Sequence, residues 1–178
     1  SASVIIAEYK GIRNMSYHRQ LLRDASHTVA RIVPRHLRTM YETARANGDE
    51  ISIAIVNGAD ATVLLAAAMS FNEDLDELTV ASALHERLHG QPLRLVRLGN
   101  GVSVPADAEY AMEARITLDV DEEGPYVDIT GTVDGVREEP VIEYDAVFHR
   151  NNPIFHALIS AGVEHRTLMG LPRAPTIK

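Results

Sequence analysis

The sequence predicts an α+β fold in which a mostly antiparallel sheet curls into a barrel. Two observations carry this. Helical periodicity dominates the part of the chain before Gly90, and beyond it the apolar period changes mainly to two. The coarse pattern, without an internal repeat, is mostly antiparallel β with about three helices inserted early, which reads as α+β with a barrel-like sheet.

Taken in order, Ser3 to Tyr9 is apolar and β-rich, and Lys10-Gly11 turns the chain. Asn14 to Arg23 is polar and irregular, readable as a strand edge or a loop. Thr28 to Val33 alternates as a strand. Pro34 opens a helix through Leu37, Met40, Tyr41 and Ala44, because proline is tolerated at the first helical position, and Asn47-Gly48 ends it. Ile51 to Val56 reads as a buried strand and Asn57-Gly58 as a turn. A helix follows from Asp60, a plausible N-cap, to Met69. A further amphipathic helix spans Asp76 to Leu88, with Leu78, Ala81, Leu84 and Leu88 as its stripe and Gly90 closing it. Leu93, Leu95 and Arg97 suggest a strand before the Gly99-Asn100-Gly101 turn. Longer strands are expected over Glu109 to Val120, Ile129 to Val133 and Val141 to Phe148. After the Asn151-Asn152-Pro153 turn, Ile154 to Ser160 looks helix-like.

Bulk properties narrow the function. The 178 residues are 46% hydrophobic, enough for a real core in one large domain or two small ones. Asp and Glu number 25 against 17 Lys and Arg, a formal charge of −8, which argues against nucleic-acid binding. No basic stripe suggests a membrane surface, and no apolar run approaches the ~20 residues of a span. Without cysteine there is no disulfide, thiolate nucleophile or Cys-ligated zinc, which fits a cytoplasmic setting. The chain opens at Ser1, already strand-like, and its last residues break off in mid-phrase, so it is expected to be a piece of a longer protein.

Several residues could carry chemistry. In Glu123-Gly124-Pro125-Tyr126-Val127-Asp128, two carboxylates flank a Gly-Pro turn that holds them at a defined separation. Paired carboxylates push their pKa values apart, so one can stay protonated as an acid. On spacing alone, however, the segment reads as an acidic surface turn, with Asp119, Asp121 and Glu122 beside it. Arg19 could grip a carboxylate bidentately, although Arg23, Arg31 and Arg35 are close in sequence. Asn14, His36 and Glu77 would together offer one nitrogen and two oxygens, a hard set suited to Mn²⁺ or Mg²⁺. They are far apart in sequence, so spacing alone makes no metal motif. No chemistry is assigned to His85, His89, His149, His156 or His165.

The order of these pieces resembles the UbiD family. Asn14 followed by Arg19, then His36, Asp76-Glu77, Val104-Pro105-Ala106-Asp107-Ala108-Glu109 and Glu123-Gly124-Pro125-Tyr126-Val127-Asp128-Ile129-Thr130-Gly131 stand in the family's sequence. His149-Arg150-Asn151-Asn152-Pro153-Ile154 resembles its His-Arg-x-x-Pro-Ile strand end. His165 to Pro172 looks most like the archaeal-type and related bacterial branches. Ala61, Ala114 and Ala174 stand where members often have Pro, Gly and Glu, which bears on subfamily rather than reaction.

The resemblance implies reversible decarboxylation of aromatic or α,β-unsaturated acids with prenylated FMN, the cofactor performing the difficult step. It implies a catalytic triad of Arg19, Glu123 and Asp128, with Asp128 as proton donor. It implies a divalent metal, usually Mn²⁺, on Asn14, His36 and Glu77, clamping the cofactor phosphate, with K⁺ near Glu77 also usual. Asn14, Tyr17, His18, Arg19, Arg31, Ile32, Val33, Arg35 and His36 match cofactor-binding segments. The implied fold is the family's central domain, a split β-barrel of the flavin-reductase FMN-binding type, with an α/β domain before it and another after it. The expected partners are a carboxylic acid substrate, a homo-oligomer formed through the full-length protein and a flavin prenyltransferase supplying the cofactor. A non-catalytic flavin-binding fragment, or a subunit of a split complex, stands as the alternative. A plain flavin reductase is less favoured, because the metal trio has no place in one.

Overall fold

The structure, a computed structural model, describes residues 2–69, 75–127 and 131–171. The chain begins with β1 (Val4–Tyr9), β2 (Ile12–Tyr17), β3 (Arg19–Leu22) and β4 (His27–Arg31). Helix α1 (His36–Asn47), β5 (Ile51–Asn57), α2 (Ala61–Ala68) and α3 (Glu77–His89) follow. The second half holds β6 (Leu95–Arg97), β7 (Ser103–Pro105), β8 (Tyr110–Glu123), β9 (Tyr126–Val127), β10 (Val133–Asp134), β11 (Arg137–His149) and α4 (Val163–Gly170).

Among the described residues, seven strands form one antiparallel sheet in the order β2-β1-β5-β8-β11-β4-β3. Its two edges are β2 and β3, yet only His18 separates Tyr17 of β2 from Arg19 of β3. A flat seven-stranded sheet would hold its edges some ~28 Å apart at ~4.7 Å per strand step. The sheet therefore curls until its edges meet at His18. The expected split barrel, with helices inserted among the early strands, is what the chain forms.

Both faces of the central strands are covered, which is why β1 and β5 read as continuous apolar runs rather than alternating ones. Val4, Ile6, Ala54 and Val56 pack with Val63, Leu64, Leu78 and Ala81 of α2 and α3. Ile5, Ile53, Ile55 and Ile116 pack with Leu37, Met40, Tyr41 and Ala44 of α1. Those four α1 residues recur at i, i+3, i+4 and i+7, the spacing that puts them on one helical face. Gly48 adopts a left-handed φ of 73° and its N–H caps the carbonyls of Ala44 and Arg45. The side chains of Asp60 and Asp76 accept from the backbone N–H of Thr62 and Leu78, fixing where α2 and α3 start.

Some boundaries differ from expectation. The polar stretch after Lys10 forms two strands, because β1 and β4 supply ladder partners that its own composition does not advertise. Helix α1 begins two residues after Pro34, with Arg35 extended ahead of it. Helix α2 ends at Ala68, and Leu88 of the expected α3 stripe is exposed. Ile154 to Ser160 is not helical. Its backbone is held by side chains instead: Ile154 N–H donates to Glu109 Oε2 at 3.1 Å, and His156 N–H to Asn57 Oδ1 at 2.9 Å. The helix comes later, as α4. Of the strand expected over Ile129 to Val133, Ile129 and Thr130 lie outside the described residues, Gly131 and Thr132 are not in a strand, and Val133 pairs with Val127 in β9.

Candidate active site

The closure of the barrel sets the site. Tyr17 and His18 line two cavities, one of about 670 Å³ and one of about 340 Å³. His18 Nδ1 lies 3.1 Å from the Arg31 carbonyl of β4. A carbonyl can only accept, so Nδ1 carries the proton and Nε2 presents its lone pair to Ser16 Oγ, 2.8 Å away. Burial pushes the His18 ring down to about 4, and the positive charge of Arg35 acts in the same direction against the Arg31 hydrogen bond. The ring is thus neutral at physiological pH.

The smaller cavity holds Asn14, His36 and Glu77. Asn14 sits in β2, His36 opens α1 and Glu77 opens α3. Glu77 is only 4% exposed. Its Oε1 accepts from Asn14 Nδ2 at 3.1 Å and its Oε2 from the Met15 N–H at 2.9 Å. His36 Nδ1 lies 3.9 Å from Glu77 Oε1. Burial raises the Glu77 carboxyl, opposed by the Met15 hydrogen bond and by the His36 ring. Asp76, the N-cap of α3, is also gripped by Arg13 of β2, which ties the helix start to the strand that carries Asn14.

The larger cavity holds the guanidinium. Arg19 donates through Nε to Glu123 Oε1 at 2.5 Å and through Nη2 to Glu123 Oε2 at 2.7 Å. This is the bidentate geometry in which a planar guanidinium matches a carboxylate. Glu123, at the end of β8, is 1% exposed. Arg19 Nη2 also reaches Asp134 Oδ2 at 3.1 Å, and its Cζ lies 4.7 Å from the centre of the Tyr126 ring. Asp128 lies outside the described residues.

The other expected cofactor-site residues divide by place. Arg31 lines the larger cavity, Arg35 the smaller one, and Val33 both. Ile32 has its side chain in the core beneath α1. Sequence reasoning missed Asp134 and Glu139. Asp134 belongs to an Asp-Gly pair, a hairpin-turn signal. Glu139 is 2% exposed and accepts from Arg31 Nη1 at 2.5 Å and from Arg38 Nη1 at 3.3 Å. It braces the end of β4 against α1.

A curled antiparallel sheet with a cleft at its meeting edges defines a split barrel. Component B of nitrilotriacetate monooxygenase from Bacillus cereus shares this fold with a TM-score of 0.52 at 12% identity, covering 84% of this chain and 69% of that one. That likeness concerns the fold alone. The family follows from sequence: the profile described as UbiD, 3-octaprenyl-4-hydroxybenzoate carboxy-lyase Rift-related domain, matches residues 1–163, and the chain belongs to the UbiD family.

Anhydromevalonate phosphate decarboxylase from Methanocaldococcus jannaschii is 42% identical over 164 residues, covering 92% of this chain and 38% of that protein. Its namesake from Methanothermobacter thermautotrophicus is 44% identical over 169 residues, covering 94% of this chain and 39% of that protein. An evolved dimeric form of the UbiD-class enzyme HmfF from Pelotomaculum thermopropionicum, in complex with prFMN, superposes with a TM-score of 0.91 at 35% identity, covering 97% of this chain and 40% of that one. The chain therefore spans about two fifths of the length of these relatives.

Proposed function

We propose that this chain is the flavin- and metal-binding core of a decarboxylase acting on an α,β-unsaturated or aromatic carboxylic acid. The observation that carries it is the meeting of two cavities at Tyr17 and His18, with the Asn14/His36/Glu77 cluster on one side and the Arg19–Glu123 pair on the other. The residues fit the groups they would hold. Among the described residues the Tyr17 hydroxyl, on a side chain that lines both cavities, is buried without a hydrogen-bond partner. One imidazole nitrogen, one amide oxygen and one buried carboxylate form a donor set for Mn²⁺ or a similar hard cation, with K⁺ beside Glu77.

When bound, prenylated FMN would supply the electron sink for loss of CO₂. Asn14, His36 and Glu77 would hold the metal against its phosphate, with Arg35 beside them in the same cavity. The neutral His18 fixes the strand junction and adds no charge there. Arg19 keeps Glu123 oriented through its bidentate contact. Glu123 is then a fixed negative charge next to the loop that carries Asp128, which would return the proton to the decarboxylated carbon.

A phosphorylated short-chain acid of the anhydromevalonate phosphate type is the first substrate to try, because the relatives of that name are 42% and 44% identical to this chain. A homo-oligomer in the cytoplasm, loaded by a flavin prenyltransferase, completes the proposal. The test uses the full-length protein. Its absorption spectrum and the mass of the extracted flavin should show a prenylated cofactor. Arg19→Ala and Asp128→Asn should abolish decarboxylation while flavin content and circular dichroism stay unchanged. Activity retained in both variants would refute this reading. Activity that needs a separately encoded subunit favours a split complex.

A further inference from the structure

The last two turns of α3 carry His85-Glu86-Arg87-Leu88-His89, and the sequence reading left both histidines without a role. The i, i+4 spacing puts the two imidazoles on one helical face, as in helical zinc sites. Their ring centroids are 4.5 Å apart. Asp60, the N-cap of the neighbouring α2, faces them: its Oδ2 lies 3.5 Å from His89 Nε2. One ring nitrogen of each histidine and one oxygen of Asp60 lie within 4.8 Å of one another. We propose that Asp60, His85 and His89 form a second metal site, for a borderline transition-metal dication such as Zn²⁺ or Co²⁺, that staples α2 to α3.

Four features of the site support this. The donor set is two imidazoles and one carboxylate, which suits Zn²⁺ or Co²⁺ and differs from the oxygen-rich cluster at Asn14. The ligands are already oriented. His85 Nδ1 lies 2.8 Å from the Gln91 carbonyl, which fixes the proton on Nδ1 and leaves Nε2 as the lone-pair nitrogen. A backbone carbonyl behind a ligating imidazole is the usual outer-shell arrangement in zinc sites. Asp60 Oδ1 is occupied by the Thr62 N–H at 2.9 Å and the Thr62 hydroxyl at 2.6 Å, so Oδ2 is the oxygen turned to the rings. Finally, both histidines lie in the last turns of α3, whose carbonyl end favours a cation, and the Asp60 carboxylate stands at the opposing N–H end of α2.

Tetrahedral coordination at ~2.0–2.1 Å needs ligand atoms roughly 3.4 Å apart. The His89–Asp60 pair has that spacing, and small side-chain rotations would bring in His85. Glu86 is exposed and outside the cluster, so the site is argued as a clamp and not as a hydrolytic centre. The clamp has a consequence for the larger site. Helix α3 begins at Glu77, and α2 ends at Ala67 and Ala68, which line the smaller cavity. Joining the two helices at their far ends would hold Glu77 and that wall in fixed relation.

The experiment uses untagged full-length protein stripped with a chelator and titrated with Co²⁺ and Zn²⁺. The expected result is a cobalt site with visible d–d absorption, displaced by Zn²⁺. His85→Ala, His89→Ala and Asp60→Asn should each weaken it by about tenfold or more. Asp60→Asn keeps an oxygen to cap α2, so it separates loss of the ligand from loss of the helix start. His36→Ala should leave these cobalt bands in place, which keeps this site distinct from the one proposed for the cofactor metal. Equal Co²⁺ and Zn²⁺ affinity in wild type and the His85→Ala/His89→Ala double variant would overturn the proposal. So would a single cobalt site that disappears in His36→Ala.

Discussion

Arg19 and Glu123 stand 104 positions apart in the chain and are joined by two short hydrogen bonds of 2.5 and 2.7 Å. The pair bridges the edge strand β3 and the far end of β8, across the cleft left by the curled sheet. Removing the guanidinium leaves a 1% exposed carboxylate without its bidentate partner. Arg19→Met should therefore cost about 3 kcal/mol in urea unfolding. The double variant Arg19→Met/Glu123→Leu should recover most of that loss, because neither charge is then buried alone. A double variant that is as unstable as the single one would show that the pair is not the source of the loss.

Much of the fold was legible in the sequence, for reasons that particular residues show. Leu37, Met40, Tyr41 and Ala44 announce α1 by period, Asp60 announces α2 by capping chemistry, and Leu78 and Ala81 announce α3 by period. Strands β2 and β3 were harder to see, because Arg13, Asn14 and Arg19 sit in them for the sake of partners elsewhere. Helix α4 buries none of its side chains, so it has no apolar stripe to read. The site divides in the same way. Arg19, Glu123, Asn14, His36 and Glu77 were found through ordered motifs. The roles of Asp134 and Glu139 depend on the register that sets β11 beside β4, with Val141 opposite Val29, and no local pattern encodes that.

Asp76 should matter beyond its own helix. Its carboxylate accepts from Leu78 N–H at 3.0 Å and from the Thr79 hydroxyl at 2.9 Å, and it also pairs with Arg13. Asp76→Ala should cost about 1–2 kcal/mol from the lost cap. It should also weaken Mn²⁺ binding, since Glu77 is the next residue. Asp76→Asn keeps an acceptor for the cap and loses the charge pair, so it should fall between wild type and Asp76→Ala. Denaturant unfolding and Mn²⁺ titration followed by electron paramagnetic resonance read the two effects separately.

Glu77 places a nearly buried carboxylate beside the Asn14 amide and the His36 imidazole. In metal-free protein that charge is costly, and a bound dication offsets it. Glu77→Gln keeps the shape and removes the charge. The variant without metal should be at least as stable as metal-free wild type, while the rise in Tm on adding Mn²⁺ should vanish. A wild-type-sized Mn²⁺ shift in Glu77→Gln would exclude Glu77 as a ligand.

His18 makes stability depend on pH. Its ring falls from the ordinary 6.5 to about 4 in the folded protein, chiefly through burial. Between those values the unfolded chain binds more protons than the folded one. Stability is therefore complete above pH 6.5 and declines as pH falls toward 4. The gap caps the effect at about 3 kcal/mol, and the residue's partial solvent access lowers it. His18→Asn retains a donor for the Arg31 carbonyl but does not titrate, so its unfolding free energy should vary less over that range. Direct observation of the His18 ring by NMR should find it neutral at pH 5.

Gly124 positions the loop that follows Glu123. Its φ is +101°, a region that favours glycine. A Cβ there would also stand 2.8 Å from the Gly135 carbonyl oxygen, a backbone atom that cannot rotate away. Gly124→Ala therefore meets two independent obstacles, strain and a clash, and relief of either must move the segment between β8 and β11. That segment carries Tyr126, stacked on Arg19, and Asp134, bonded to it. The variant should lose about 2–3 kcal/mol of stability. In the full-length protein the proposed decarboxylation should fall by more than the folded fraction explains, because the displaced loop no longer holds Arg19 against Glu123. Gly131→Ala is the control. It also has a positive φ, +81°, but no atom of the described residues lies within 4 Å of its added carbon. It should pay only the strain and keep the Arg19 geometry, so a loss of activity equal to that of Gly124→Ala would remove the steric argument.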